Sequence, residues 1–261
     1  MQIRILTVGD IVGAPGRNTV AKHLKPLREA RGIDFVVANA ENVFNGSGIT
    51  PRDAEVLFQS GVDCITCGDH VWKRREFMDV AAKDERIVRA ANFAAAAPGR
   101  GFTVLTTHGG HEVAVVHVIG RVFMQPIDCP FAAAQKAVEK ARVRTPIVVV
   151  DMHCEATSEK LAMGRYLDGQ VSVVFGTHTH VATADAQVLP KGTGYITDVG
   201  MTGPHDSILG RRVDRVLKKF VTGLPSPFDV AEGDERLMAA LFTVDVRSGR
   251  CTEVERVEVK G

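Results

Sequence analysis

Apolar runs rich in Val and Ile recur along this chain with amphipathic helical patterns between them, and that alternation constrains its fold more than any other feature. It is the pattern of parallel strands joined by crossover helices. The first run is Ile3 to Val8, followed by the turn "GDIVGAPGR" and a helix predicted from about Asn18 to Arg31, with Pro15 and Gly16 in the loop and at the helix entrance. Next come "DFVVANAEN", a helix opened by "TPRDAEVLFQSG", the short run "VDCITCGDH" and a helical stretch around Arg74 to Ala82. From Phe102 the rhythm changes: "FTVLTTHGGHEVAVVHVIG" predicts two strands around a Gly-Gly turn, an antiparallel hairpin. Helix, strand, helix and strand then follow in "FAAAQKAVEKARVR", "TPIVVVDMH", "SEKLAMGRYL" and "VSVVFGTHTH". The tail adds the helical "DRVLKKFVTG" and two strands, "RLMAALFTVDV" and "CTEVERVEV", around Ser248 and Gly249. No repeat or linker interrupts the chain. The expectation is one α/β domain over residues 1–261, with antiparallel additions and two sheets packed face to face.

A chain of 261 residues should bury roughly 70 to 75% of its unfolded surface, enough to hold a core without staples. With 45% hydrophobic and 24% charged residues and a net charge of +1, the composition is that of a globular protein. It lacks the clustered basic surplus that stable nucleic-acid or anionic-membrane partners select. The five cysteines are an odd number, which suits reduced thiols and a cytoplasmic protein better than a disulfide framework. Cys64 and Cys67 form one C-x-x-C with no second pair to complete a zinc site, so burial is their expected role. The opening "MQIRILTVGD" is too short in apolar residues for a signal peptide, and no run approaches a membrane span.

Polar residues fall at the ends of the strand runs. Asp10 follows the first, Glu41 and Asn42 the second, Asp69 and His70 the third, His153 follows Ile147 to Val150, and His178 and His180 follow Val171 to Phe175. In open α/β sheets the ligand crevice lies beyond the carboxyl ends of the strands, so these residues should converge. In an extended segment, residues i and i+2 face one side about 6.5 to 7 Å apart. "HTH" would then place one imidazole on each of two ions roughly 3.5 to 4 Å apart. Nitrogen and oxygen donors without thiolate favour Fe, Mn or Zn over Mg and Ca. A carboxylate such as Glu41 can bridge two ions, and a two-metal site suits phosphoryl transfer.

"GDIVGAPGR", "NAEN", "GDHVW", "VDMHCEATSEK", "GTHTHVATAD" and "TDVGMTGPHDSILG" together resemble the calcineurin-like metallophosphoesterases, specifically the bacterial YmdB-type cyclic-nucleotide phosphodiesterases. The resemblance runs over nearly the whole chain. It implies a four-layer α/β/β/α sandwich, a binuclear centre of Fe or Mn, with Zn as an alternative, and hydrolysis of 2',3'-cyclic nucleotides, with 3',5'-cyclic nucleotides as a further class. It also implies that Asp10, Asn42 and His180 hold one metal, that Asp69, His153 and His178 hold the other, that Glu41 bridges them and that His70 donates a proton. The partner is then a small phosphodiester, and a homo-oligomer is compatible with this reading. One position departs from the family pattern: Gly-Asn-His is usual where Gly68, Asp69 and His70 stand. The added carboxylate would neutralise the cluster, which should alter metal preference or reduce activity.

Three readings compete. A dinucleotide-binding fold would use Gly9, Gly13 and Gly16, but it lacks G-x-G-x-x-G and leaves three histidines unexplained. A low-turnover nucleotide-sensing protein on the same scaffold is compatible with Asp69, and a phosphodiesterase of RNA ends is disfavoured by the weak charge. Among the remaining polar residues, His108 and His111 fit a hairpin turn, His23 a surface helix and His117 a packed strand. His205 fits a loop at the pocket rim. Arg17 suits either a phosphate or a surface acid, and Trp72 either a base or the core.

Overall fold

The computed structural model describes residues 1–261. The first half is a series of βα units: β1 (Gln2–Val8), β2 (Asp10–Ile11), α1 (Gly13–Arg31), β3 (Phe35–Asn39), α2 (Pro51–Gln59), β4 (Cys64–Cys67), α3 (Met78–Lys83) and β5 (Ile87–Arg89). The hairpin of β6 (Phe102–Thr106) and β7 (Glu112–Ile119) leads to α4 (Pro130–Arg142), β8 (Val148–His153), α5 (Thr157–Tyr166) and β9 (Val173–Thr177). Then come β10 (Gln187–Val188), β11 (Gly194–Ile196), β12 (Met201–Pro204), α6 (Val213–Thr222), β13 (Glu235–Asp245) and β14 (Cys251–Lys260).

Two sheets result. One has the order β2-β12-β13-β1-β3-β4-β5, with β14 also paired to β13; the other has the order β10-β11-β9-β8-β7-β6. Strands β1, β3, β4 and β5 run parallel, as do β7, β8 and β9. Alternation along each strand divides the apolar side chains among three interfaces. Ile5, Phe35 and Val37 of one sheet meet Val115, Val149 and Phe175 of the other, which seals the sheets face to face. Leu6, Val36 and Ile65 point the opposite way, toward Val20 and Leu24 of α1 and Leu57 of α2. Val116, Val148 and Val150 point toward Ala134 and Val138 of α4 and Met163 of α5. Three apolar interfaces define four layers, helix, sheet, sheet and helix, as expected.

Helix α1 starts at Gly13, five residues before the predicted start. Pro15 is tolerated there because its missing N–H lies in a first turn that has no intrahelical partner to lose. Helix α2 begins as its sequence predicts, with Thr50 and Asp53 in a reciprocal capping box and Pro51 in the first turn. Asp53 also takes Arg17 at 2.6 Å, so of the two roles open to that arginine the structure gives it the acid. Gly16 packs on β12, where a Cβ would sit 2.4 Å from the Thr202 carbonyl oxygen. Close packing of α1 therefore accounts for this glycine without a dinucleotide. All five cysteines are free, with Cys64 and Cys67 buried in β4. No helix is long and apolar enough to cross a membrane.

Candidate metal centre

Because the inner strands of both sheets run parallel, their carboxyl ends open onto a shared edge. Glu41, Asp69, His153 and His178 come together there with one potential ligand atom each, all within 4.8 Å of one another. The Glu41 carboxylate is central: Oε1 lies 3.2 Å from His153 Nε2 and 3.4 Å from His70 Nδ1, while Oε2 accepts the His70 backbone N–H at 2.9 Å. Asp69 Oδ1 lies 3.3 Å from His153 Nε2. The other predicted residues border this group. His180 Nε2 is 3.8 Å from Asp10 Oδ1 and 3.3 Å from Asn42 Nδ2, and His70 Nδ1 is 2.9 Å from Asn42 Oδ1. All eight residues singled out at strand ends therefore meet at one edge.

The "HTH" segment reaches this arrangement by a route other than the extended one expected. Strand β9 ends at Thr177, and both His178 (φ 90°) and His180 (φ 64°) are left-handed. Such backbone costs a non-glycine residue of order 1–3 kcal/mol and persists only where its surroundings fix it. Here they do. His178 N–H donates to Asp10 Oδ2 at 3.0 Å, and Thr179 between the histidines is tied to Asp198 at 2.6 Å and to Lys160 Nζ at 3.0 Å. The two rings consequently diverge, His178 toward His153 and His180 toward Asp10.

Each histidine has its second ring nitrogen occupied. His153 Nδ1 lies 2.9 Å from Thr177 Oγ1, whose hydroxyl donates to Asp151 Oδ1 at 2.7 Å and so accepts from the imidazole. His178 Nε2 faces the Glu155 carboxylate at 3.4 Å, and His180 Nδ1 donates to the Leu209 carbonyl at 3.2 Å. These contacts select the tautomers that aim His153 Nε2, His178 Nδ1 and His180 Nε2 inward. Sequence reasoning missed Asp151, Glu155, Lys160 and Leu209. Asp151 carried a signal, a charge inside the Val run of β8. Lys160 resembles any helix-surface lysine, and Leu209 acts only through its backbone.

Electrostatics show what the cluster lacks. Burial, opposed by His180 and His153, pushes Asp10 up to about 6, and burial together with the charge of His153 pushes His178 down to about 3. Despite burial, His153 is held well above the usual imidazole range by Glu41 and Asp69, and Glu41 well below the usual carboxylate range by His153 and His70. Burial works against the His70 imidazolium, but the Glu41 hydrogen bond and charge outweigh it and raise its pKa. Asp10 Oδ1 is buried with no hydrogen-bond partner. His153 Nε2 and His178 Nδ1 lie 3.0 Å apart, and with the protons on their opposite nitrogens two lone pairs face each other there. Ligands set at right angles around an ion at about 2.1 Å are separated by about 3 Å, so the donor set fits a metal ion.

The remaining residues settle as follows. Trp72 is partly buried against the core and tilts on Phe93 at 6.2 Å, so it is a packing residue. His117 is buried in β7, with Nδ1 3.1 Å from Asp151. His108 is exposed in the hairpin turn, whereas His111 there and His23 on α1 are half-buried.

Two packed sheets between helices, with imidazoles and carboxylates gathered at the strand ends, define the metallophosphoesterase fold. Residues 6–257 match the family described as YmdB-like protein, and the chain belongs to that family. It is 45% identical over 255 residues to the 2',3'-cyclic-nucleotide 2'-phosphodiesterase of Bacillus subtilis (strain 168), covering 98% of this chain and 96% of that protein. Among solved structures, a hypothetical protein from Thermus thermophilus superposes with a TM-score of 0.92 at 41% identity, with 99% of each chain covered. A structure described as a novel phosphatase from Mycoplasma pneumoniae superposes with a TM-score of 0.93 at 32% identity, covering 100% of this chain and 94% of that one.

Proposed function

We propose that this protein is a metal-dependent phosphodiesterase that hydrolyses 2',3'-cyclic nucleotides, with residues 1–261 working as one domain. The observation that carries the reading is the pair of inward nitrogens, His153 Nε2 and His178 Nδ1, 3.0 Å apart with their opposite nitrogens facing Thr177 and Glu155. The name of the Bacillus subtilis relative supports the substrate class.

Asp10, Asn42 and His180 would hold one ion and Asp69, His153 and His178 the other, with Glu41 a carboxylate available to both. The donor set suits Fe or Mn, with Zn as an alternative. Asn42 turns Nδ2 toward His180 Nε2 and Glu41 Oε1, 3.3 Å from each. A half-turn of the carboxamide exchanges its oxygen and nitrogen. It then offers oxygen to an ion, while Glu41 Oε1, 3.4 Å from His70 Nδ1, favours the His70 imidazolium, whose second proton is on Nε2. When bound, the cations supply a water nucleophile of lowered pKa and offset the charge developing on phosphorus. His70 delivers its Nε2 proton to the departing ribose oxygen. Cleavage of the 2' ester leaves a nucleoside 3'-phosphate.

The test is hydrolysis of 2',3'-cyclic AMP by metal-free protein reloaded with Mn, Fe or Zn, with 3',5'-cyclic AMP and a phosphomonoester in parallel. Metal-dependent release of adenosine 3'-phosphate is the expected result, and no turnover with any of the three metals contradicts the reading. Asp69 favours a second reading, a low-turnover nucleotide sensor. It would be marked by saturable binding of the cyclic nucleotide without product.

A further inference from the structure

The loop between β7 and α4 leaves its sheet beside the centre. Ile119 is in register with His153, and Gly120 N–H donates to the His153 carbonyl at 3.0 Å. Three residues on, Phe123 is 88% exposed, and its backbone is left-handed, with φ 61°. A phenyl ring in water gains nothing from burial, and a bulky residue pays conformational energy for positive φ. The loop is nevertheless held fast. Glu159, itself buried, accepts the Arg121 N–H with both carboxylate oxygens at 3.1 Å and the Val122 N–H at 3.2 Å. On the other side, Met124 Sδ accepts the Glu155 N–H at 3.3 Å, and the Glu155 carboxylate lies 3.4 Å from His178. Phe123 is thus fixed between two anchors, one of them tied to the rim of the metal centre. Three residues span at most about 10 Å, which bounds the distance of the Phe123 backbone from Gly120, whose N–H is bonded to the His153 carbonyl.

We infer that Phe123 is a specificity-determining residue whose ring stacks on the base of the nucleotide held at the centre. This rests on the cyclic-nucleotide reading above. Trp72, two residues after His70, packs on the core and leaves this role open. Stacking uses the π face that every base shares, so it separates nucleotides from base-free esters more than one base from another.

The test measures kcat/KM of the full-length, Mn-loaded protein for 2',3'-cyclic AMP and for methyl riboside 2,3-cyclic phosphate, the same ester without a base. Phe123→Gly is the informative variant, because glycine takes up φ 61° without strain and should melt no lower than the parent. Removing the ring is expected to lower the ratio of the two kcat/KM values about tenfold, mainly through KM for the nucleotide, and Phe123→Trp to restore it. A ratio that does not move overturns the inference. So does an oligomer that dissociates in Phe123→Gly with the ratio unchanged, which would assign the ring to a second copy of the chain. If the parent protein hydrolyses neither ester, the phosphodiesterase reading itself fails and takes the inference with it.

Discussion

Lys160 Nζ lies 2.6 Å from Asp198 Oδ2 beneath the loop that carries His178 and His180, with only 1% of the lysine exposed. Thr179 bonds to both partners, so this ion pair fixes the residue between two left-handed histidines. Removing one member of a buried pair leaves a charge uncompensated and costs about 3–5 kcal/mol. Lys160→Met is expected to lose stability of that order in urea unfolding. The double variant Lys160→Met with Asp198→Asn should recover part of it. A single variant as stable as the parent would remove the pair from this role.

A Cβ on Gly68 would lie 2.3 Å from His153 Nε2 and 2.4 Å from Glu41 Oε2, in the space where their ligand atoms converge. Gly68→Ala is therefore expected to weaken Mn binding by at least tenfold while keeping the far-ultraviolet circular dichroism of the parent. Unchanged metal affinity would show that the ions sit elsewhere.

The pH dependence has two parts of opposite sign. Asp10 has a folded pKa raised to about 6, so in the metal-free protein its contribution to stability is present below about 4 and is lost as pH rises through 6. His178 has a folded pKa lowered to about 3, so its contribution is present above about 6.5 and is lost as pH falls toward 3. A bound cation replaces the proton on Asp10 and gains a full carboxylate only above its pKa. The rise in Tm on adding Mn should be large at pH 8 and shrink below about pH 6. A rise that is constant from pH 5 to 8 would exclude Asp10 as a ligand.

Asp69 adds a carboxylate where the family resemblance of the sequence implied Asn. Asp69→Asn should restore positive charge to the loaded centre and raise diester turnover, or shift the preferred metal. Lower turnover with every metal tested would contradict this assignment.

His70→Ala should leave metal content intact and slow 2',3'-cyclic AMP hydrolysis by about 10² to 10⁴. A p-nitrophenyl diester expels a leaving group that needs no proton, and its turnover should fall far less. Equal losses on both esters would deny His70 the role of proton donor.

Much of the centre was legible because parallel strands put their carboxyl ends on one edge, so Asp10, Glu41, Asp69, His153 and His178 could be grouped without knowing a single contact. The four-layer arrangement followed the family resemblance. The conformation of "HTH" was not legible: its left-handed residues depend on Asp198 and Lys160, remote in sequence and unremarkable in pattern. Strands β2, β5, β10, β11 and β12 span two to four residues, too few for a periodic signal. Leu209 orients His180 through a carbonyl oxygen, which no side-chain pattern reveals.

The most direct test of a paired-cation centre is calorimetric titration of the metal-free, full-length protein with Mn. Two ions per chain are expected, falling to about one in His178→Ala with diester hydrolysis lost. Parent protein that takes up no stoichiometric ion, or hydrolyses the diester equally well in the presence of EDTA, would contradict the account.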